Sequence, residues 1–194
     1  CAVIPHGVND VGMTVRISRA TLAHMVALAQ ASPDCEVCGL LVGQGEGITG
    51  HVPAANVADD PATRFEIDPA VLIAAHRAAR SGGPAVLGCY HSHPSGAEEP
   101  SACDAAMAAS DGGLWLILTP ASHSLWRAGE GGLHGRFRPQ HLCIDEASGE
   151  VVLAQGRHDG NRLHASGGCA IPYSANCLPE DSEGFAMNQP VTGP

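Results

Sequence analysis

One stretch in the middle of the 194-residue chain constrains its fold more than any other. An apolar run over residues 85–90 leads directly into His91 and His93, and Asp104 follows eleven residues later. Side chains two residues apart on an extended strand project to the same side, roughly 6 to 7 Å apart along the strand. Two histidines and a carboxylate are typical of a catalytic zinc site, which keeps its fourth position for water. The stretch therefore predicts a buried strand that ends in a metal site.

Each part of this pattern also has an ordinary explanation. A histidine pair at a strand end usually makes surface or core hydrogen bonds, and Ser101 with Asp104 fits a helix capping box. Glu36, ahead of an apolar strand, would ordinarily be a solvated turn carboxylate. Cys89 would face the same side of its strand as His91, where it would either contact a metal or, more commonly, pack as a small hydrophobe. The prediction of a metal site therefore depends on the parts occurring together.

Taken together, the residues resemble the JAMM (MPN+) metalloprotease motif: an upstream glutamate, His-x-His-Pro, six residues, then Ser-x-x-Asp. The glutamate is Glu36, and the later parts are residues 91–94 and 101–104. Residues 36–43 are also similar to the family's glutamate-bearing strand with its Cys-Gly-Leu run. The resemblance covers residues 13–138 and implies an α/β fold with a mixed, curved β-sheet flanked by helices, the deaminase-like JAMM/MPN architecture.

The resemblance also implies a role for each motif residue. One catalytic Zn²⁺ would be held by His91, His93 and Asp104. Glu36 would hold and deprotonate the zinc-bound water and then pass its proton to the leaving amine. Ser101 would donate a hydrogen bond to the oxyanion of the tetrahedral intermediate.

The substrate class follows from the same resemblance. The chain is compact between residues 36 and 137, which is similar to the prokaryotic branch that acts on ubiquitin-like sulfur-carrier proteins. Such a zinc peptidase or isopeptidase would cleave after a Gly-Gly tail and free an amino acid, a C-terminal extension or a conjugated lysine. The sequence does not select among these three, nor does it indicate the oligomeric state.

Three other classes of protein share parts of the pattern. A non-catalytic MPN scaffold usually lacks one or more ligands, whereas all five functional positions are filled here. A DNA-associated protein of the RadC type would share the His-Pro-Ser-Gly run at 93–96, but the net charge of −10 argues against it. The motif of a zinc deaminase requires His-x-Glu followed by Pro-Cys-x-x-Cys. The lone Cys-x-x-Cys at 35–38 comes before the histidines and lacks the proline.

Local patterns predict a mixed α/β layer fold around the motif. Helices are predicted over residues 19–31, capped by Ser18, over 69–80, capped by Asp68, and over 101–110. Strands are predicted over 37–42, 48–52, 64–67, 85–90, 114–118, 124–127 and 133–137.

Beyond these elements the chain changes character. We expect an N-terminal extension over residues 1–12, the metalloprotease domain over 13–138, and a hairpin within 139–155 that turns near Ala147. Residues 156–194 are predicted to be a disordered tail, because their large apolar residues are scattered and cannot offset the entropy of ordering.

Composition excludes several classes of partner. The acidic net charge provides no basic face for nucleic acid, and no apolar run approaches the roughly 20 residues that span a bilayer. No secretory signal is visible, and the eight cysteines are irregularly spaced. The sequence therefore favours a cytoplasmic protein with neither a nucleic-acid nor a membrane partner.

Overall fold

The computed structural model describes residues 14–146 and 152–153 of the chain. Within them, nine strands form one mixed sheet that three helices accompany, as the sequence predicts. In chain order the elements are β1 (Val15–Ser18), α1 (Arg19–Gln30), β2 (Cys38–Gln44), β3 (Gly47–Ala54), α2 (Pro69–Arg80), β4 (Ala85–Ser92), α3 (Ala102–Met107), β5 (Leu114–Leu118), β6 (His123–Leu133), β7 (Phe137–Gln140), β8 (Leu142–Asp145) and β9 (Val152–Leu153). The strand order is β7-β6-β5-β4-β2-β3-β1-β8, with β9 paired to β3.

The centre of the sheet positions the strand that ends in the histidines. β4 pairs antiparallel with β2 and parallel with β5, so that His91 lies between Cys38 and Ile117. Register shifts in β2 mark bulges, which bend a sheet locally. Gly88 allows β4 and β5 to approach closely, because a Cβ atom there would lie 1.9 Å from the carbonyl oxygen of Leu114.

Two apolar clusters cover the two faces of β4. Because side chains alternate along a strand, Tyr90 packs into the cluster beneath α1, whereas Cys89 belongs to the cluster on the other face. Ser18 caps α1 as predicted and accepts a hydrogen bond from the Thr21 backbone at 3.0 Å. The second cluster contains Phe65 and Trp115, and it forms the floor of the histidine site.

The prediction of a strand over residues 64–67 is wrong. Ile67 makes only an isolated bridge to Asn56, and the other residues of the segment have no strand partner within the described chain. The Asn56 side chain instead binds the Arg64 carbonyl and the Glu66 amide. A side chain has therefore taken the place of a neighbouring strand, although the alternating pattern correctly placed Phe65 in the core.

Two element boundaries also differ from those predicted. α3 ends at Met107 rather than at residue 110, because Ala108 adopts an extended backbone conformation. Leu133 ends β6 rather than beginning the next strand. Gly131 and Gly132 have positive φ, which permits an irregular end to β6 before the turn into β7.

The two strands expected to form a hairpin over residues 142–153 do not pair with each other. β8 pairs in parallel with β1, and β9 pairs in parallel with β3. An isolated hairpin is marginally stable in water, whereas β8 packs Leu142 and Ile144 against the main core by joining the sheet. The expected turn, the N-terminal extension and the tail over 156–194 lie outside the described residues.

α2 begins as predicted at Pro69, and Asp68 caps it by accepting a hydrogen bond from the Ala70 backbone at 2.8 Å.

In the described part of the chain, no helix combines the length and the apolarity that a membrane crossing requires.

Candidate metal centre

Four ionisable side chains meet at the C-terminal end of β4. His91 lies in the strand, His93 follows it, Asp104 comes from α3 and Glu36 from the loop before β2. None of the four is more than 6% exposed. The strand pairing explains the meeting, because the start of β2 and the end of β4 are adjacent, as the pair Cys38 and His91 shows.

Two imidazoles and one carboxylate face a common point. The Nε2 atoms of His91 and His93 are 3.0 Å apart, and they lie 3.5 and 3.6 Å from the two carboxylate oxygens of Asp104. Ligand atoms on a tetrahedral zinc ion, with bonds of about 2.0 to 2.1 Å, are themselves about 3.3 Å apart. The imidazole nitrogens and carboxylate oxygens are therefore spaced much as the ligands of one zinc ion are, with each imidazole next to a different oxygen of Asp104.

Hydrogen bonding fixes the ring of His93. Its Nδ1 lies 2.8 Å from the Ala97 carbonyl, which can only accept, so Nδ1 carries a hydrogen and Nε2 faces Asp104. Burial opposes the charge of this ring, but its hydrogen bonds to Asp104 and to the Ala97 carbonyl, together with the nearby Glu36, raise the pKa of His93. Burial lowers the pKa of His91, which favours the neutral form of that ring. Phe65 stacks on the His91 ring with centroids 4.3 Å apart, and Trp115 meets its edge.

Asp104 belongs to a helix capping box and also faces the two imidazoles. Its Oδ2 accepts hydrogen bonds from the backbone amide and the hydroxyl of Ser101, at 2.6 and 2.8 Å, while Ser101 Oγ accepts from the Asp104 amide at 3.1 Å. Burial opposes its charge, but hydrogen bonds from both histidines and Ser101 outweigh this and hold the pKa of Asp104 well below its usual range. The capping box thus fixes an ionised carboxylate against the two imidazoles.

Glu36 supplies a second carboxylate. Its ligand atom and those of the two histidines all lie within 4.8 Å of one another. Its buried Oε2 has no hydrogen-bond partner among the described residues. Burial raises the pKa of Glu36 to about 7, although His93 opposes the rise. An unpaired carboxylate that titrates near neutrality is suited to exchange protons with a neighbouring water.

The structure also places Ser101 and Cys89, the two other residues that the sequence singles out. The Ser101 hydroxyl is engaged with Asp104, so its proton points at the proposed ligand set. Burial raises the pKa of Cys89, which keeps this residue a thiol within the second cluster rather than a thiolate ligand.

Sequence reasoning missed the residues that support the glutamate. Ser92 Oγ accepts a hydrogen bond from the Val37 backbone at 2.9 Å, which ties the glutamate loop to the histidine strand. Asn56 donates to the Glu36 carbonyl, also at 2.9 Å. Strand alternation places Ser92 opposite the histidines but does not identify its partner, and no signal in the sequence marks Asn56.

In the metal-free protein, burial of the Glu36 charge should lower the free energy of unfolding. A carboxyl with a higher pKa in the folded state destabilises the fold as pH rises from its unfolded pKa to its folded pKa. Between 4.5 and about 7 this amounts to at most about 3 kcal/mol. In chelator, Glu36→Gln should therefore gain stability relative to wild type from pH 5 to pH 8. Urea unfolding across this range measures the difference, and a variant less stable than wild type at pH 8 would contradict it.

The chain is similar to several known proteins. A family model described as prokaryotic homologs of the JAB domain matches residues 18–129. A desampylase from Haloferax volcanii is 37% identical over 101 residues, which cover 51% of this chain and 73% of that protein. A probable TtuB-protein conjugate cleaving protease from Thermus thermophilus is 32% identical over 93 residues, covering 48% of this chain and 62% of that protein. A protein of Desulfitobacterium hafniense, solved in solution, shares the fold with a TM-score of 0.60 and 24% identity, over 69% of this chain and 94% of that one.

Proposed function

The chain belongs to the family of prokaryotic homologues of the JAB domain, and we propose that it is a zinc-dependent isopeptidase acting on conjugates of a ubiquitin-like or sulfur-carrier protein. The observation that carries the proposal is the buried site itself. Two imidazoles and an ionised aspartate face one point, and a glutamate whose buried Oε2 has no partner among the described residues lies beside them.

His91, His93 and Asp104 hold the zinc ion in this proposal. When bound, zinc lowers the pKa of a coordinated water to about 7 and polarises the scissile carbonyl. The ring of His93 is oriented by the Ala97 carbonyl, and that of His91 is packed between aromatic side chains. Both imidazoles are thereby fixed in position before any ligand arrives.

Glu36 is the general base and then the general acid. Its unpaired Oε2 accepts a proton from the attacking water and returns it to the amine that leaves. A pKa of about 7 suits both steps, since the carboxyl can hold and release a proton near neutral pH. The burial that sets this pKa also excludes the bulk water that would compete for the proton.

Ser101 is the proposed oxyanion donor. Its oxygen can keep accepting from the Asp104 amide while its hydroxyl hydrogen turns from Asp104 toward the substrate. Asp104 would retain its hydrogen bond from the Ser101 backbone.

Ser101→Ala should affect stability and turnover separately. Loss of the helix cap is expected to cost about 0.5 to 2 kcal/mol, measured by urea unfolding. Loss of the oxyanion donor should lower kcat by about 10²- to 10³-fold. Ser101→Thr, which keeps a hydroxyl, serves as the control. A loss of stability with kcat within a few fold of wild type would limit Ser101 to its capping role.

The relatives motivate the substrate. The Thermus relative is named for cleaving protein conjugates of TtuB. We propose a ubiquitin-like partner whose Gly-Gly tail enters the site. A cavity of 170 Å³ adjoins His93, with Pro33, Pro94, Leu118 and Pro120 in its lining. A tail without side chains suits a cavity of this size better than bulky residues do.

The proposed function is tested with a ubiquitin-like protein joined through Gly-Gly either to a lysine side chain or to a linear peptide. We expect the zinc-loaded protein to release the lysine conjugate, chelator to stop the release, and added zinc to restore it. The ratio of the two rates distinguishes isopeptidase from linear peptidase activity. If the protein at full zinc occupancy cleaved neither of the two substrates, the proposal would be contradicted.

A further inference from the structure

Asn56, in the loop after β3, uses its whole side chain to bind backbone. Its amide nitrogen donates to the carbonyls of Glu36 and Arg64, at 2.9 and 3.1 Å. Its amide oxygen accepts from the amides of Ala58 and Glu66, at 3.1 and 3.0 Å. Both donor hydrogens and both acceptor positions of the side chain are thus satisfied.

Three of these bonds reach the two segments that frame the metal centre, and the fourth, from Ala58, closes the local turn. On one side is the loop that carries Glu36. On the other is the segment that carries Phe65, which is 4% exposed and stacks on the His91 ring with an angle of 18° between the planes. Asn56 touches neither the Glu36 carboxylate nor the His91 ring, but it binds the backbone that presents each of them.

Other anchors of the Glu36 loop include the Ser32 hydroxyl, which donates to the Cys35 carbonyl at 3.0 Å, a backbone bond to Pro61 and contacts with β4. The Glu36 amide donates to the Pro61 carbonyl at 2.7 Å, and Val37 exchanges hydrogen bonds with Ser92. The Glu36 carbonyl is bound by the Asn56 side chain instead. A change at residue 56 therefore loosens one side of the glutamate loop and leaves its attachment to β4 in place.

We propose that Asn56 is a positioning residue, which sets the distance between the Glu36 carboxylate and the metal ligands and keeps Phe65 stacked on His91. This inference rests on the proposed function. Its physical basis is that the rate of a catalytic step depends strongly on the positions of the reacting groups. A displacement of about 1 Å can lower the rate by about 10²-fold. A residue that acts through the backbone of the base should change turnover more than it changes binding of metal or substrate.

Asn56→Asp tests this directly, because it keeps the acceptor oxygen and the shape but removes both donated hydrogen bonds. We expect kcat, per folded and zinc-loaded molecule, to fall by about 10- to 100-fold. KM and the dissociation constant for zinc should stay within about threefold of wild type, since the three proposed ligands are untouched. Asn56→Ser removes the same donors without placing a carboxylate against the carbonyls, and it should show the same split.

Thr49→Ala is the control, since Thr49 lies exposed in β3 and its hydroxyl donates to the Val42 carbonyl rather than to the Glu36 loop. Its kcat should match that of wild type. The proposal is overturned if both Asn56 variants keep wild-type kcat at full zinc occupancy. It is equally overturned if zinc affinity falls in step with kcat, because Asn56 would then only support the metal site. An inactive wild-type protein would instead refute the proposed function, so the two failures are distinguishable.

Discussion

His91→Ala is expected to yield a folded protein that binds no stoichiometric zinc and has no isopeptidase activity above background. His91 is fully buried, and its Nε2 faces both His93 and Asp104. Without this ring only two ligands of the proposed set remain, too few for a catalytic zinc site. Metal analysis after gel filtration measures the zinc content.

His76→Ala is the matched control, because His76 lies exposed on α2 and contributes no atom to the proposed ligand set. It should retain zinc and activity. Asp104→Ala should also lose zinc, and it should in addition lose stability because Asp104 is half of the α3 capping box. Full zinc retention by His91→Ala would contradict the ligand assignment.

Glu36→Gln is expected to keep zinc and lose most turnover. The amide has nearly the same size and shape as the carboxylate but cannot take up a proton, so kcat should fall by about 10²- to 10⁴-fold. Removal of a buried charge should leave the fold intact or more stable. Zinc content and steady-state kinetics on the same preparation measure both effects.

The control for this substitution is Glu130→Gln, which alters an exposed glutamate in β6. It should leave both zinc content and kcat unchanged. If Glu36→Gln lost its zinc, Glu36 would be a ligand rather than the base. This outcome matters because the structure brings two carboxylates, Glu36 and Asp104, to the same pair of imidazoles.

Local chemistry made much of the fold predictable. Ser18 and Asp68 each bind the first turn of a helix, and their residue types alone mark the start of α1 and α2. β5 is a continuous apolar run, and it lies where that run predicts, over Leu114–Leu118. The histidine pair was predictable as well, because alternation along β4 fixes the side to which both rings point.

Long-range partners could not be read from the sequence. The pairing of β8 with β1 joins residues far apart in the chain, and the local pattern around residues 142–153 favours a hairpin equally well. Asn56 is similar: an asparagine near a turn is ordinary, and its partners Glu36 and Glu66 become neighbours only in the folded chain. Supporting residues of the site are therefore visible only in the structure.

Diffraction at the zinc absorption edge, on crystals of the zinc-loaded protein, tests the ligand set most directly. We predict one anomalous peak about 2.0 to 2.2 Å from His91 Nε2, His93 Nε2 and an oxygen of Asp104, with the Glu36 carboxylate beyond bonding distance. A peak bonded to Glu36 in place of Asp104, or no peak between the two imidazoles, would contradict the assignment.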